Sequence, residues 1–173
     1  AKYTEPIDEL EENFNLATLT QAQNYGPKVD WRTPESLEAN PLSVLSLASF
    51  LEKNPANYWA RQTLTGLLLD EENWKAAVTS AEELIQLLPD YTGFGNAYSM
   101  KALAQRQLGD VEGEVETLAR LAELSAEALT AYQRLVEVDF EKESWSSVIE
   151  NASRAKAVNP FSQRLHYCRG RAH

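Results

Sequence analysis

Apolar residues in this chain recur at spacings of three, four and seven rather than two, the period of helices that bury one stripe. Leu64, Leu67 and Leu68 form one stripe, and Trp74, Val78, Leu84 and Ile85 form a second. Val111, Val115, Leu118, Leu121 and Ala122 form a third, and Ile7, Leu10, Phe14 and Ala17 another near the start. Capping residues bound these stripes. Pro6 suits a first helical turn, and Gly26-Pro27 stops the helix it opens. Thr33-Pro34 and Asn40-Pro41 read as two successive cap signals, so a short helical turn should lead into a helix over 41–53. Gly109 ends one helix, and the Asp110 carboxylate caps the next. The pattern predicts helices near 6–25, 41–53, 57–70, 73–87, 95–108, 111–124, 127–140, 144–157 and 161–172, with no sheet.

The helices repeat. Pro55 and Pro89 lie 34 residues apart, and Pro89 and Pro160 lie 71 apart, two periods of 34 plus three. Trp74 and Trp145 are also 71 apart, each 15 residues before its proline, and should occupy equivalent buried sites at the aromatic position of a second helix. A period of 34 belongs to a helix–turn–helix unit, and one such hairpin cannot bury both of its faces, so units must stack. Counting back from Pro55, the helix at 41–53 fills the second-helix slot of an incomplete unit whose first helix is interrupted by Pro27 and Pro34.

From about residue 41 onward the chain resembles the tetratricopeptide repeat (TPR) family. Residues 58–91 match its pattern with Leu64, Leu68, Trp74, Ala77, Ala81 and Pro89, and residues 129–162 with Tyr132, Leu135, Trp145, Val148, Ala152 and Pro160. The unit at 95–128 contributes Tyr98, Ala102 and the turn Gln107-Leu108-Gly109-Asp110. Three departures stand out. Thr65 and Val136 occupy the helix crossing where Gly or Ala is expected, and Glu114 stands where a small residue should close the middle pair, which no proline ends. The resemblance implies an all-α, right-handed superhelix of antiparallel helix pairs, an α-solenoid. Residues 1–33 would be a capping helix and linker, and 34–173 the repeats: units at about 58–91, 95–128 and 129–162, with partial units at each end.

The resemblance also implies a concave groove lined by each unit's first helix. Carried onto this chain, its positions are Trp59, Gln62, Gly66 and Leu69, then Asn96, Ser99, Leu103 and Arg106, then Thr130, Gln133, Glu137 and Phe140, with Arg164 and Tyr167 from the truncated unit. Packing between repeats competes with ligand contact at each of them, above all at Trp59 and Phe140. The family's Lys/Asn clamp for a C-terminal carboxylate is missing, since Gln62, Ser99, Gln133, Gly66, Leu103 and Glu137 hold those positions. A mixed polar and apolar groove suits an uncharged or basic extended segment, or a helix with apolar anchors inward.

Composition narrows the chemistry. With 173 residues, 43% hydrophobic and 24% charged, the chain can form a core without metals or disulfides, and its single Cys168 precludes an intrachain disulfide. No apolar run approaches the roughly 20 residues of a membrane span. Net charge is −10, and residues 151–173 hold Arg154, Lys156, Arg164, Arg169 and Arg171 with no acid, so the other 11 basic and 26 acidic residues leave −15. That surface repels phosphate and argues against nucleic-acid binding, while the basic end reads as a solvated helix terminus with its acidic complement on the preceding helix. Both ends look cut, as though the segment were excised from a longer protein, so targeting signals do not decide its compartment.

Catalytic signals are sparse. His166 and Cys168 stand two apart on one helix and point in different directions, a poor start for a metal site or a nucleophile pair. Gly93-Phe94-Gly95 lacks the third glycine and preceding strand of a dinucleotide loop. Asp70-Glu71-Glu72, Glu82-Glu83 and the alternating Glu112, Glu114 and Glu116 complement helix N-termini or solvate a surface. The sequon Asn151-Ala152-Ser153 falls mid-helix.

The expected protein is a cofactor-free interaction or scaffolding module without catalysis, whose partner is a protein or peptide segment, including other domains of the same longer chain. The alternative is a non-catalytic helical arm of a larger enzyme, positioning substrate or packing on a catalytic domain; a small-molecule-binding or hydrolytic helical domain is a distant third. The three extra residues fall between Pro89 and Gly95, in a loop carrying Tyr91 and Phe94. Either ring should plug a gap left by Glu114, or one should stay exposed as a partner anchor. Phe94→Ala therefore separates the cases: it lowers the melting temperature if the ring is buried, and spares stability while weakening partner binding if it is exposed.

Overall fold

A computed structural model describes residues 7–33 and 42–172. The expected helical turn leading up to residue 41 lies outside them. Among the described residues the secondary structure is helical: α1 (Ile7–Tyr25), α2 (Val44–Lys53), α3 (Tyr58–Asp70), α4 (Trp74–Leu87), α5 (Ala97–Gln107), α6 (Val111–Leu124), α7 (Leu129–Glu141), α8 (Trp145–Val158) and α9 (Gln163–Ala172). The one sheet-like feature is an isolated parallel bridge between Asp30 and Asn57. Helices α3/α4, α5/α6 and α7/α8 form successive antiparallel hairpins, with α2 packed before them and α9 after, the layout of a TPR-like α-solenoid.

The same turn closes every hairpin. Glu72, Gly109 and Glu143 all adopt positive φ, at 57, 74 and 54°. Around each, the following amide reaches back across the helix end: Asn73 N–H to the Leu68 carbonyl at 2.8 Å, Asp110 to Gln105 at 2.9 Å, and Ser144 to Asp139 at 2.8 Å. This is the Schellman arrangement, which satisfies carbonyls that a helix end leaves without partners. Glycine takes that conformation without steric cost, whereas the two glutamates bear some strain.

The departures from the repeat pattern each have a partner. Thr65 is fully buried, and its hydroxyl is 2.7 Å from that of buried Ser80. Thr117 donates to Gln105 at 2.8 Å, and Asn151 to Asp139 at 3.0 Å. Ser80, Thr117 and Asn151 are each the seventh residue of their hairpin's second helix, so one side-chain hydrogen bond ties each pair at a matching level. Val136 is 1% exposed at the α7/α8 crossing, where its bulk is accommodated. Asp139 loses solvent in the process; burial raises its pKa, and the Asn151 donor opposes that shift.

Glu114 leaves no gap to be plugged. It is 2% exposed, and Arg134 of the next hairpin grips both of its oxygens, Nε at 2.7 Å and Nη2 at 2.9 Å. This contact is the main reason the Arg134 pKa is raised. Fully buried Ala77 and Val148 stand at the matching level of α4 and α8. The tryptophans need a correction. Trp74 and Trp145 do occupy equivalent places, each opening a second helix, but neither is buried: Trp74 is half-buried, and Trp145 is 37% exposed. As first-turn residues they cover the hairpin end instead of entering the core, so neither carries a full aromatic burial energy.

The N-terminal stretch also differs from a simple cap. Residues 26–33 dock on the start of α3: Asp30 N–H donates to Ala56 C=O, Tyr58 N–H to Asp30 C=O, and Asn57 Nδ2 to Arg32 C=O. Val29 is buried with Tyr58, Leu84, Leu88 and Ala97. The expected apolar stripe of α1 does not enter a core, however, since Leu10 and Phe14 are 46% and 70% exposed.

Arg134→Met should destabilise the fold by about 3–5 kcal/mol, because it strands the Glu114 carboxylate away from water. Adding Glu114→Val should recover most of that loss. Urea unfolding of the three chains checks the pair, and a single variant no less stable than the parent would show that Glu114 is solvated.

Candidate partner-binding groove

The first helices α3, α5, α7 and α9 come to lie in the same slot of successive units. The phase runs from 58 to 95, 129 and 163, so Gln62, Ser99, Gln133 and Tyr167 share one level, and Gly66, Leu103 and Glu137 the next. The structure sorts the expected groove residues into framework and open surface.

Several are framework. Asn96 is 8% exposed and caps α5, accepting the Ser99 amide at 2.9 Å and donating to Gly93 C=O at 3.0 Å. It is therefore a structural cap and not a free groove donor. Helix α5 starts two residues later than the repeat phase requires, because Gly95 sits at φ 66° and cannot continue a helix. Gln62 is half-buried and donates to Gly95 C=O at 2.9 Å, tying α3 to the next unit. Half-buried Trp59 packs on the α2–α4 core. Phe140 meets Trp145 edge-on at 5.5 Å and Tyr167 at 6.4 Å, closing the α7–α9 end.

Others face open space. Leu103 is 44% and Tyr167 62% exposed, and Arg106 and Thr130 are exposed too. Gly66 would carry a Cβ with nothing within 4 Å, so its level of the groove is unfilled. Between α7 and α9, Gln133, Val136, Glu137, Ser162, Arg164 and Leu165 enclose a pocket of 140 Å³. Two opposite charges frame it. Arg164 Nη1 lies 2.9 Å from Glu137, which also meets Arg134 at 3.3 Å. The buried pair thus continues outward as a chain, Glu114–Arg134–Glu137–Arg164, from α6 through α7 to α9. Glu114 and Arg134 were not among the expected site residues. Twenty positions separate them, and no spacing rule links one hairpin's second helix to the next hairpin's first.

The loop aromatics part company. Tyr91 is half-buried, stands edge-on to Tyr58 at 5.8 Å, and donates through its hydroxyl to Phe94 C=O at 3.2 Å. Phe94 is 99% exposed. Beside it Ser99, Glu127, Leu129 and Thr130 help to line a hollow of 430 Å³.

Among the described residues no three His, Cys, Asp or Glu side chains gather as metal ligands. Cys168 is buried, while exposed His166 lies 2.9 Å from Pro160 C=O. No described helix is long and apolar enough to cross a membrane.

No protein-family model matches the chain, and no curated protein does. Two crystal structures of MamA, a TPR-like helical protein, are similar to it. Both match with a TM-score of 0.63 at 19% identity over 75% of this chain, covering 74% of one MamA chain and 69% of the other. At that identity the likeness establishes the fold, a TPR-like helical solenoid.

Asn96→Ala removes both the α5 cap and the tie to Gly93, and should cost about 1 kcal/mol. Urea titration measures the loss, and amide exchange should rise first in residues 91–99. Unchanged exchange there would show that other bonds hold the loop.

Proposed function

We propose that this protein is a non-catalytic interaction module that holds a segment of a partner protein along the groove of α3, α5, α7 and α9. The observation that carries the reading is the groove's uncovered mixture of chemistry. Leu103 and Tyr167 offer exposed apolar contact, Gly66 leaves room, and the Glu137–Arg164 pocket supplies both charges. Such a surface takes an extended segment or an amphipathic helix with apolar anchors inward. With no Lys/Asn clamp at the matching positions, it reads an internal segment and not a free carboxylate end. Net charge of −10 disfavours nucleic acid as the occupant.

Affinity capture tests the reading with the parent chain and a Leu103→Asp/Tyr167→Asp variant. Both positions are mostly exposed, and Tyr167 gives up only its contact with Phe140, so the variant should fold with little loss of melting temperature while losing the captured proteins, identified by mass spectrometry. Equal capture by both chains would rule out the groove as the binding face.

A further inference from the structure

Because the helices alternate in direction, every turn leading from a second helix into the next first helix lies along one edge of the solenoid. That edge carries a knob and a hollow of matching chemistry. The knob is Phe94. Its ring is almost wholly in solvent, yet the loop beneath it is braced: Tyr91 donates to Phe94 C=O, Asn96 to Gly93 C=O, Gln62 to Gly95 C=O, and Tyr98 to Pro89 C=O at 2.6 Å. Little backbone freedom remains to be lost when such a ring binds.

The hollow lies about one turn further along the edge, between the C-terminal turns of α6 and α8. It measures 510 Å³, and Ala122, Ala126, Ala157, Tyr132, Glu123 and Arg154 line it. Three alanines leave space for a ring. Glu123 is already engaged by Arg120 at 2.9 Å. Arg154 holds only an exposed pair with Glu150, one turn back on the same helix, which an aromatic face or an incoming carboxylate can displace.

The surroundings of the ring are acidic, whereas the hollow sets Arg154 beside Glu123. Asp90 belongs to the Phe94 loop, and Glu127 lines the space beside the ring with no Lys or Arg among the lining residues. Arg154 and nearby Lys156 belong to the stretch of chain that has basic residues and no acids.

We propose that the hollow receives Phe94 of a second copy of this chain, each copy inserting its ring into the other about a twofold axis. Knob and hollow share one edge, so a single rotation satisfies both contacts and the assembly closes as a dimer instead of growing into a filament. The contact uses neither Leu103 nor Tyr167 nor the Glu137–Arg164 pocket, on which the proposed groove reading rests.

Sedimentation equilibrium of the whole chain over about 1–100 µM should fit a monomer–dimer equilibrium, the micromolar range of modest interfaces. Phe94→Ala should weaken it by about 30-fold, the loss of a central aromatic anchor, with no change in melting temperature. Ala157→Trp, which fills the hollow from an exposed position, should have the same effect without touching the loop. Mixing Phe94→Cys chains with Ala157→Cys chains under oxidation should give a mixed disulfide dimer. Leu103→Asp/Tyr167→Asp should leave dimerisation intact, which separates failure here from failure of the groove reading. A monomer throughout, a dimer unaffected by Phe94→Ala or Ala157→Trp, or larger head-to-tail species would overturn the proposal.

Discussion

Each second helix in this solenoid has to satisfy two neighbours at once, its own hairpin partner and the first helix of the next unit. A residue on that shared wall cannot reach solvent, so its chemistry must be answered from one side or the other. Ala77 and Val148 meet the demand by being apolar. Glu114 meets it through Arg134, at the cost of desolvating both groups. That exchange fixes which face of α7 turns towards α6, and so fixes where Gln133 and Glu137 emerge. The groove's geometry is in this sense downstream of a contact buried between α6 and α7.

The fold was legible because helical periodicity is local and the repeat is additive. Leucine spacing marked the stripes, and prolines 34 and 71 residues apart set the phase. Helix starts moved later than expected at α2, which begins at Val44 behind the Ser43 cap and not at 41, at α5 behind Gly95 and Asn96, and by two residues at α7 and α9. Less was legible at the site. The side chains of Asn96 and Gln62 are drawn into backbone contacts across 3 and 33 residues, and a list of groove positions cannot reveal that. Glu72 and Glu143 gave no sign of left-handed geometry, whereas Gly109 did, because glycine alone advertises the conformation. Tryptophan at the start of a second helix looked like a core residue from its type, although a first-turn position leaves much of the ring outside.

Two surfaces with different chemistry result. The groove is polar and apolar by turns, with opposed charges already engaged with each other across α7 and α9. The edge carries the exposed Phe94 ring on a braced turn, with acidic residues near it and Arg154 beside Glu123 further along. A partner segment in such a groove would be told apart through many modest contacts, whereas an edge anchor would depend on a single ring and the fit of its cavity. Repeat proteins allow this division because each unit contacts only its neighbours.

The loop between α4 and α5 shows how such surfaces diverge. Three extra residues enter there, yet α6 keeps its place against α5 and α7, because α5 gives up two residues at its start and the surplus is thrown outward with Phe94. The solenoid thus separates chain length from rise per unit. Descendants of this sequence can lengthen, shorten or rewrite the edge turns without moving the groove floor, so the two faces of one scaffold are free to diverge at independent rates.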